Sequence, residues 1–232
     1  MIKNLHTKFS KFILPTIALP ITILGINPNE VRSEESKGTY VTGNYGTSSL
    51  TNADWKATVN NLAHKGSLKF DDGSAWEAGL GYDFGRLRTE LSYSESINKI
   101  KSITATIDEG NLTGTSVASS ASGDLKINNV LINGYLDFPI GKKFTPYIGA
   151  GIGGSKLNID NINVGGEVLE SANTWLFGYQ GKLGLSYALT KNFNIFGEGT
   201  YSAFSDLGAA GEKYGLESNS DINYRAGLTL KF

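Results

Sequence analysis

The chain has 232 residues, with 29 glycines, 19 % charged side chains and a net charge of −1. That composition fits one domain whose apolar residues are dispersed, and it lacks the basic excess that a nucleic-acid partner requires. Cysteine is absent and the histidines are only two, His6 and His64, so no disulfide framework, thiolate metal site or cofactor is implied.

At the N-terminus Lys3, Lys8 and Lys11 precede an apolar run over 12–26, and the polar stretch NPNEVRSEES follows at once. A basic front, a short apolar middle and a polar exit describe a secretory signal peptide. The run is interrupted by Pro15 and Pro20 and is too short for a convincing membrane helix, the alternative being an uncleaved anchor. The small pair Val31 and Ser33 places cleavage before Glu34, which gives a signal peptide over 1–33 and a mature domain over 34–232.

The mature part reads as a series of strands. The first, over 37–45, has polar and apolar residues on both parities and is the weakest. Over 74–84, Trp76, Ala78, Leu80, Tyr82 and Phe84 alternate with Glu77, Gly79, Gly81 and Asp83. Gly85 and Arg86 then turn the chain into a strand where Leu87, Thr89, Leu91 and Tyr93 alternate with Arg88, Glu90, Ser92 and Ser94. The same pattern returns over 130–138, 146–154, 174–187 and 193–201. The last strand carries Ile222, Tyr224, Ala226, Leu228, Leu230 and Phe232 on one parity and Asn223, Arg225, Thr229 and Lys231 on the other.

These segments number eight. Short turns near 85–86, 139–144 and 188–192 alternate with long polar connections near 46–73, 96–124, 157–173 and 202–220, of which 115–124 reads as a flexible loop tip. Short turns on one side and long loops on the other are what a membrane-spanning barrel predicts. Charge separates by parity: Glu77, Asp83, Arg88, Glu90, Asp137, Lys182, Glu198, Arg225 and Lys231 all oppose the apolar positions. Lys126 and Glu95 break the rule at the loop-side ends of their strands. Placing the apolar parity toward lipid avoids about 2 to 4 kcal/mol for each mid-membrane Arg or Lys. A soluble eight-stranded barrel of the lipocalin kind would show the same alternation with the faces reversed. The export signal and the glycines that share the charged parity (Gly79, Gly81, Gly149, Gly151, Gly153, Gly178, Gly184 and Gly227) favour a crowded polar interior.

The strings NGYLDFP over 133–139, FTPYIGAGIG over 144–153 and GLSYALT over 184–190, with the terminal Phe232, resemble the OmpA-like superfamily of small outer-membrane β-barrels. Within it the likeness is to the opacity-protein, rickettsial surface-antigen and Wolbachia surface-protein type. The resemblance implies an all-β, eight-stranded antiparallel up-and-down transmembrane barrel in the outer membrane of a Gram-negative-type bacterium, with short periplasmic turns and four long extracellular loops. It also implies that the assembly machinery reads a C-terminal signal here comprising Tyr224, Leu228, Leu230 and Phe232.

Three functions follow as expectations. The first is a structural and surface-interaction role, adhesin- or antigen-like, through the loops, with extracellular protein or envelope ligands as partners. In it Glu77, Glu90 and Glu198 face Arg88, Lys182 and Arg225 in a lumen charge network. The second is a narrow gated pore for ions or small solutes, for which eight strands leave little room. The third is an enzyme, which the sequence does not support: His64 stands in a loop near Ser67, Asp71 and Asp72 without an assembled nucleophile and base. Trp55 and the apolar, lysine-containing stretch over 97–107 are candidate contact residues, the latter also able to extend a hairpin above the membrane.

Overall fold

The computed structural model describes residues 37–59, 62–108, 116–164, 167–168, 172–205, 215–217 and 220–232. The expected signal peptide lies outside them. Eight strands close into a barrel: β1 (Gly38–Leu50), β4 (Gly73–Asp83), β5 (Leu87–Asp108), β6 (Ser116–Asp137), β7 (Phe144–Val164), β9 (Ala172–Ala188), β10 (Phe193–Ser205) and β12 (Ser220–Lys231). Each pairs antiparallel with its neighbour in chain order, and β1 closes the ring on β12, with Val41 opposite both Leu80 and Leu230.

The three short turns are built by local chemistry. Gly85 adopts φ 110°, which L side chains rarely adopt, and its N–H donates to Asp83 Oδ1 at 2.7 Å. Gly141 turns at φ 65°, and Thr190 Oγ1 accepts from the backbone N–H of Phe193 at 3.0 Å.

The faces settle which way the barrel is turned. Leu80, Ile132 and Leu183 point outward and are 59, 66 and 67 % exposed, whereas Glu77, Lys182 and Arg225 point inward at 2, 5 and 5 %. A soluble barrel would require the reverse, so the apolar surface faces lipid. Aromatic residues bound this band. Tyr82 packs on Phe84 and Phe144 on Tyr187 at the turn side, with Trp76 on Tyr93 at the far side. Eight residues separate Trp76 from Phe84, which at barrel tilt is about 20 Å of height before ring widths are added, close to the apolar band of an outer-membrane barrel.

The long connections are built largely of strand. The pairing of β5 with β6 continues to Thr106 and Ser116, so the presumed loop tip over 115–124 is largely strand, and the stretch over 97–107 extends β5. Residues 46–73 contribute the end of β1 and a hairpin of β2 (Ala53–Val59) and β3 (Leu62–Phe70), which adds to β5 through Ala63 to Phe70. Two short strands, β8 (Glu167–Val168) on β7 and β11 (Gly215–Glu217) on β2, widen this extension. Trp55 lies in β2 and His64 in β3 rather than in a loop. The uncertain first strand, β1, has Tyr40, Asn44 and Ser48 inward, with Val41 and Tyr45 outward.

Candidate functional site

The lumen is organised in layers because period-two alternation sends one side chain inward at every second residue of each strand. At its middle, Lys182 Nζ lies 2.6 Å from Glu77 Oε1 and 3.2 Å from Glu198 Oε1. Lys182 stands on β9 and Glu77 on β4, four positions apart around the ring of eight, so this ion pair crosses the full diameter of the barrel. Arg225, the register partner of Glu198, has Nη1 3.6 Å from Glu77 Oε2 and Nη2 3.5 Å from Glu198 Oε1, and donates to Thr200 Oγ1 at 2.8 Å. Tyr147 donates its hydroxyl proton to Glu198 Oε2 at 3.1 Å. Four of the six expected network residues therefore meet.

The other two do not join them as expected. Arg88 pairs with Asp137 on the adjacent strand by two bonds of 2.7 and 2.9 Å, while the rings of Tyr135, Tyr147 and Tyr40 surround its guanidinium at 4.6 to 5.7 Å. Such a fork-on-fork pair with aromatic faces suits arginine's planar charge. Glu90 is held by hydroxyls, accepting from Tyr135 at 2.8 Å and from Thr42 at 3.1 Å. Sequence reasoning placed Asp137, Asp83 and Lys231 on the charged parity without pairing them. In the structure Lys231 Nζ meets Asp83 Oδ2 at 2.6 Å near the turn side. The inward tyrosines Tyr40 and Tyr147 escape the sequence, because their apolar rings resemble lipid-facing residues until the strand register is known.

Several lumen glycines make these layers possible. A Cβ at Gly79 would strike the Glu90 carboxyl, one at Gly81 the Tyr40 ring, and one at Gly184 the Tyr147 ring.

Below the network a cavity of about 720 Å³ opens between the turns, from Lys142, Lys143 and Lys191 at its mouth to Glu77, Glu90 and Glu198 at its deep end. Above the network a layer of hydrogen-bonded polar side chains follows. Asp221 accepts from Ser48 at 2.8 Å and from Asn223 at 2.9 Å, and Gln180 donates to Asn133 at 2.6 Å. Higher still, Leu125, Ile127, Leu157 and Phe204 pack into an inward apolar cluster flanked by Leu50, Phe70, Ile159 and Leu176. Tyr224, Leu228 and Leu230 on β12, and Phe232 just after it, are exposed on the outer face.

An antiparallel ring of eight strands, apolar toward lipid and ionic within, defines a small outer-membrane β-barrel protein. Residues 16–232 match the family described as the outer membrane protein beta-barrel domain, and the chain belongs to that family. It is 34 % identical over 86 residues to the outer membrane protein PagN of Salmonella typhimurium, covering 35 % of this chain and 36 % of that protein. It is 30 % identical over 147 residues to RC1281 of Rickettsia conorii, named as a candidate adhesin, covering 60 % of this chain and 55 % of that one. The chain thus spans 36 and 55 % of these curated relatives' lengths. The crystal structure of the neisserial surface protein A shares the fold, with a TM-score of 0.51 and 18 % identity over 84 % of this chain and 97 % of that one. The protein resides in the outer membrane of a Gram-negative-type cell.

Proposed function

We propose that the barrel is a plugged anchor for surface interaction, adhesin- or antigen-like, whose contacts are made by the sheet above the membrane band. The observation that carries this reading is where the chain spends its residues. The lumen is filled by side chains across its diameter, while β5, β6 and β7 continue well beyond the band and recruit β2, β3, β8 and β11. A relative named as a candidate adhesin supports the same reading. The test is adherence of a non-adherent bacterium displaying the full chain, against one in which residues 53–70 are replaced by a short turn. Loss of adherence with a normal heat-modifiable gel shift is expected; equal adherence of both would remove the hairpin from the interaction.

On this reading the partners are outer-membrane lipid, the barrel assembly machinery and an extracellular protein or envelope ligand, and the protein is not an enzyme. Residues 1–33 serve as the export signal, which mass spectrometry of the mature chain checks by a terminus at Glu34. The outward row Tyr224, Leu228, Leu230 and Phe232 serves as the assembly signal, so replacing Phe232 by Ser lowers the fraction of folded barrel in outer-membrane fractions. A second reading, a narrow gated pore, takes its support from the cavity that opens between the turns. Single-channel recording in planar bilayers separates the two.

A further inference from the structure

The deep end of the turn-side cavity is short of one cation. Three carboxylates, Glu77, Glu90 and Glu198, meet two cations, Lys182 and Arg225, at this level. The nearby Arg88 is taken by Asp137 and Lys231 by Asp83. Glu90 is 4 % exposed, and among the described residues it has hydroxyl donors but no ion-pair partner. Two further acceptors, on residues that line the same cavity and are 2 and 9 % exposed, accept no hydrogen bond: Glu77 Oε2, which has only the Arg225 guanidinium at 3.6 Å, and Asn44 Oδ1. Buried acceptors in that state are costly unless something donates to them.

We propose that this end of the lumen binds a primary ammonium group on a slender organic stem. The head has one positive charge, which balances the layer, and three N–H donors for the Glu90 carboxylate and the polar groups of Glu77 and Asn44. Tyr135, Tyr147 and Phe196 line the cavity and offer aromatic faces to the stem and to the charge. A bare divalent ion fits less well, because it needs a tight shell of oxygens, and no group of three or more His, Asp or Glu among the described residues is arranged to hold a metal. The lysines at the mouth do not bar entry. Lys142, Lys143 and Lys191 are exposed to solvent, and the four residues from Asn194 to Glu198 put about 10 Å between mouth and head group. The site is independent of the surface role proposed above.

The test is calorimetric titration of the refolded full chain in uncharged micelles with three probes: n-butylammonium, tetramethylammonium and potassium chlorides. One butylammonium per barrel is expected, with tetramethylammonium, which has the charge but no N–H donor, binding about tenfold more weakly or less. Glu90→Gln should weaken butylammonium by about tenfold, while lipid-facing Gly197→Ala leaves it unchanged. The proposal is overturned by absence of butylammonium binding to folded barrel, by equal binding of potassium or tetramethylammonium, or by unaltered affinity in folded Glu90→Gln. Should that variant not fold, the three-probe comparison on the unaltered chain decides alone.

Discussion

Arg225 and Lys182 each neutralise carboxylates from more than one strand, so removing either leaves a buried charge unpaired rather than merely deleting a contact. Arg225→Ala is therefore expected to lower unfolding free energy by about 3 to 5 kcal/mol in urea titrations of the refolded barrel, whereas removing Glu198 together with Arg225 should cost less than the two single losses summed. Unchanged stability in Arg225→Ala would show that the charges are solvated in the folded barrel. Glycine makes a second residue-scale contrast. A methyl at Gly184 would fall on the Tyr147 ring, and one at Gly197 meets nothing within 4 Å. Gly184→Ala should destabilise by about 1 to 3 kcal/mol, while Gly197→Ala should be neutral or stabilise by about 0.4 to 1 kcal/mol through the unfolded chain. Equal midpoints for the two variants would refute the claim that lumen glycines are there for space. That glycines share the charged parity was legible in the sequence. Which side chain each one accommodates was not, because Tyr147 and Gly184 lie 37 residues apart and meet only through the register of β7 with β9.

Along β6 the sense of the alternation reverses without any change of parity. From Val130 to Phe138 the outward residues are apolar, whereas above them the outward residues are Lys126 and Asn128 and the inward ones are Leu125 and Ile127. Asn128 donates outward to Glu95 Oε2 and to the Tyr93 hydroxyl, both at 2.9 Å. The reversal marks the level at which the environment of the outer face changes from hydrocarbon to water. Ile132→Arg should thus cost about 2 to 4 kcal/mol of folding free energy in lipid vesicles and Asn128→Arg about 0 to 1. Similar penalties at the two positions would misplace the boundary. This reversal also decides which strands the sequence reveals. Below it, one greasy and one charged parity made the lower strands visible, down to the outward row of β12. Above it the sequence from Ser116 to Asp124 is small or polar at nearly every position, so it lacks period-two contrast and resembles a loop although β5 pairs with it. In β1 the failure is local: inward Tyr40 packs under the Arg88 guanidinium, and a tyrosine beside lipid-facing Val41 blurs the two parities.

For the molecule as a whole, the question is whether anything passes through it. The cavity between the turns ends at an ion pair spanning the diameter, and beyond the polar layers lies the inward cluster of Leu125, Ile127, Leu157 and Phe204. These two closures differ in kind. The ionic one blocks by occupying the bore with paired side chains, and the apolar one by excluding the water that a permeating ion needs. In series, opening one leaves the other shut. The unaltered barrel is therefore expected to be silent in a planar bilayer. Lys182→Ala with Glu77→Ala, which removes both partners of the diametral pair so that this pair leaves no charge of its own behind, should be silent as well. Leu157→Ser with Phe204→Ser, which wets the upper cluster alone, should also be silent. All four substitutions combined should give small, reproducible conductance steps, provided each preparation shows the gel shift of a formed barrel. Channels from the network pair alone would mean that the apolar cluster passes water, and the ionic layer would then be the single gate of a pore. Channels from the unaltered chain would overturn the closed lumen and move the functional site from the surface sheet into the bore.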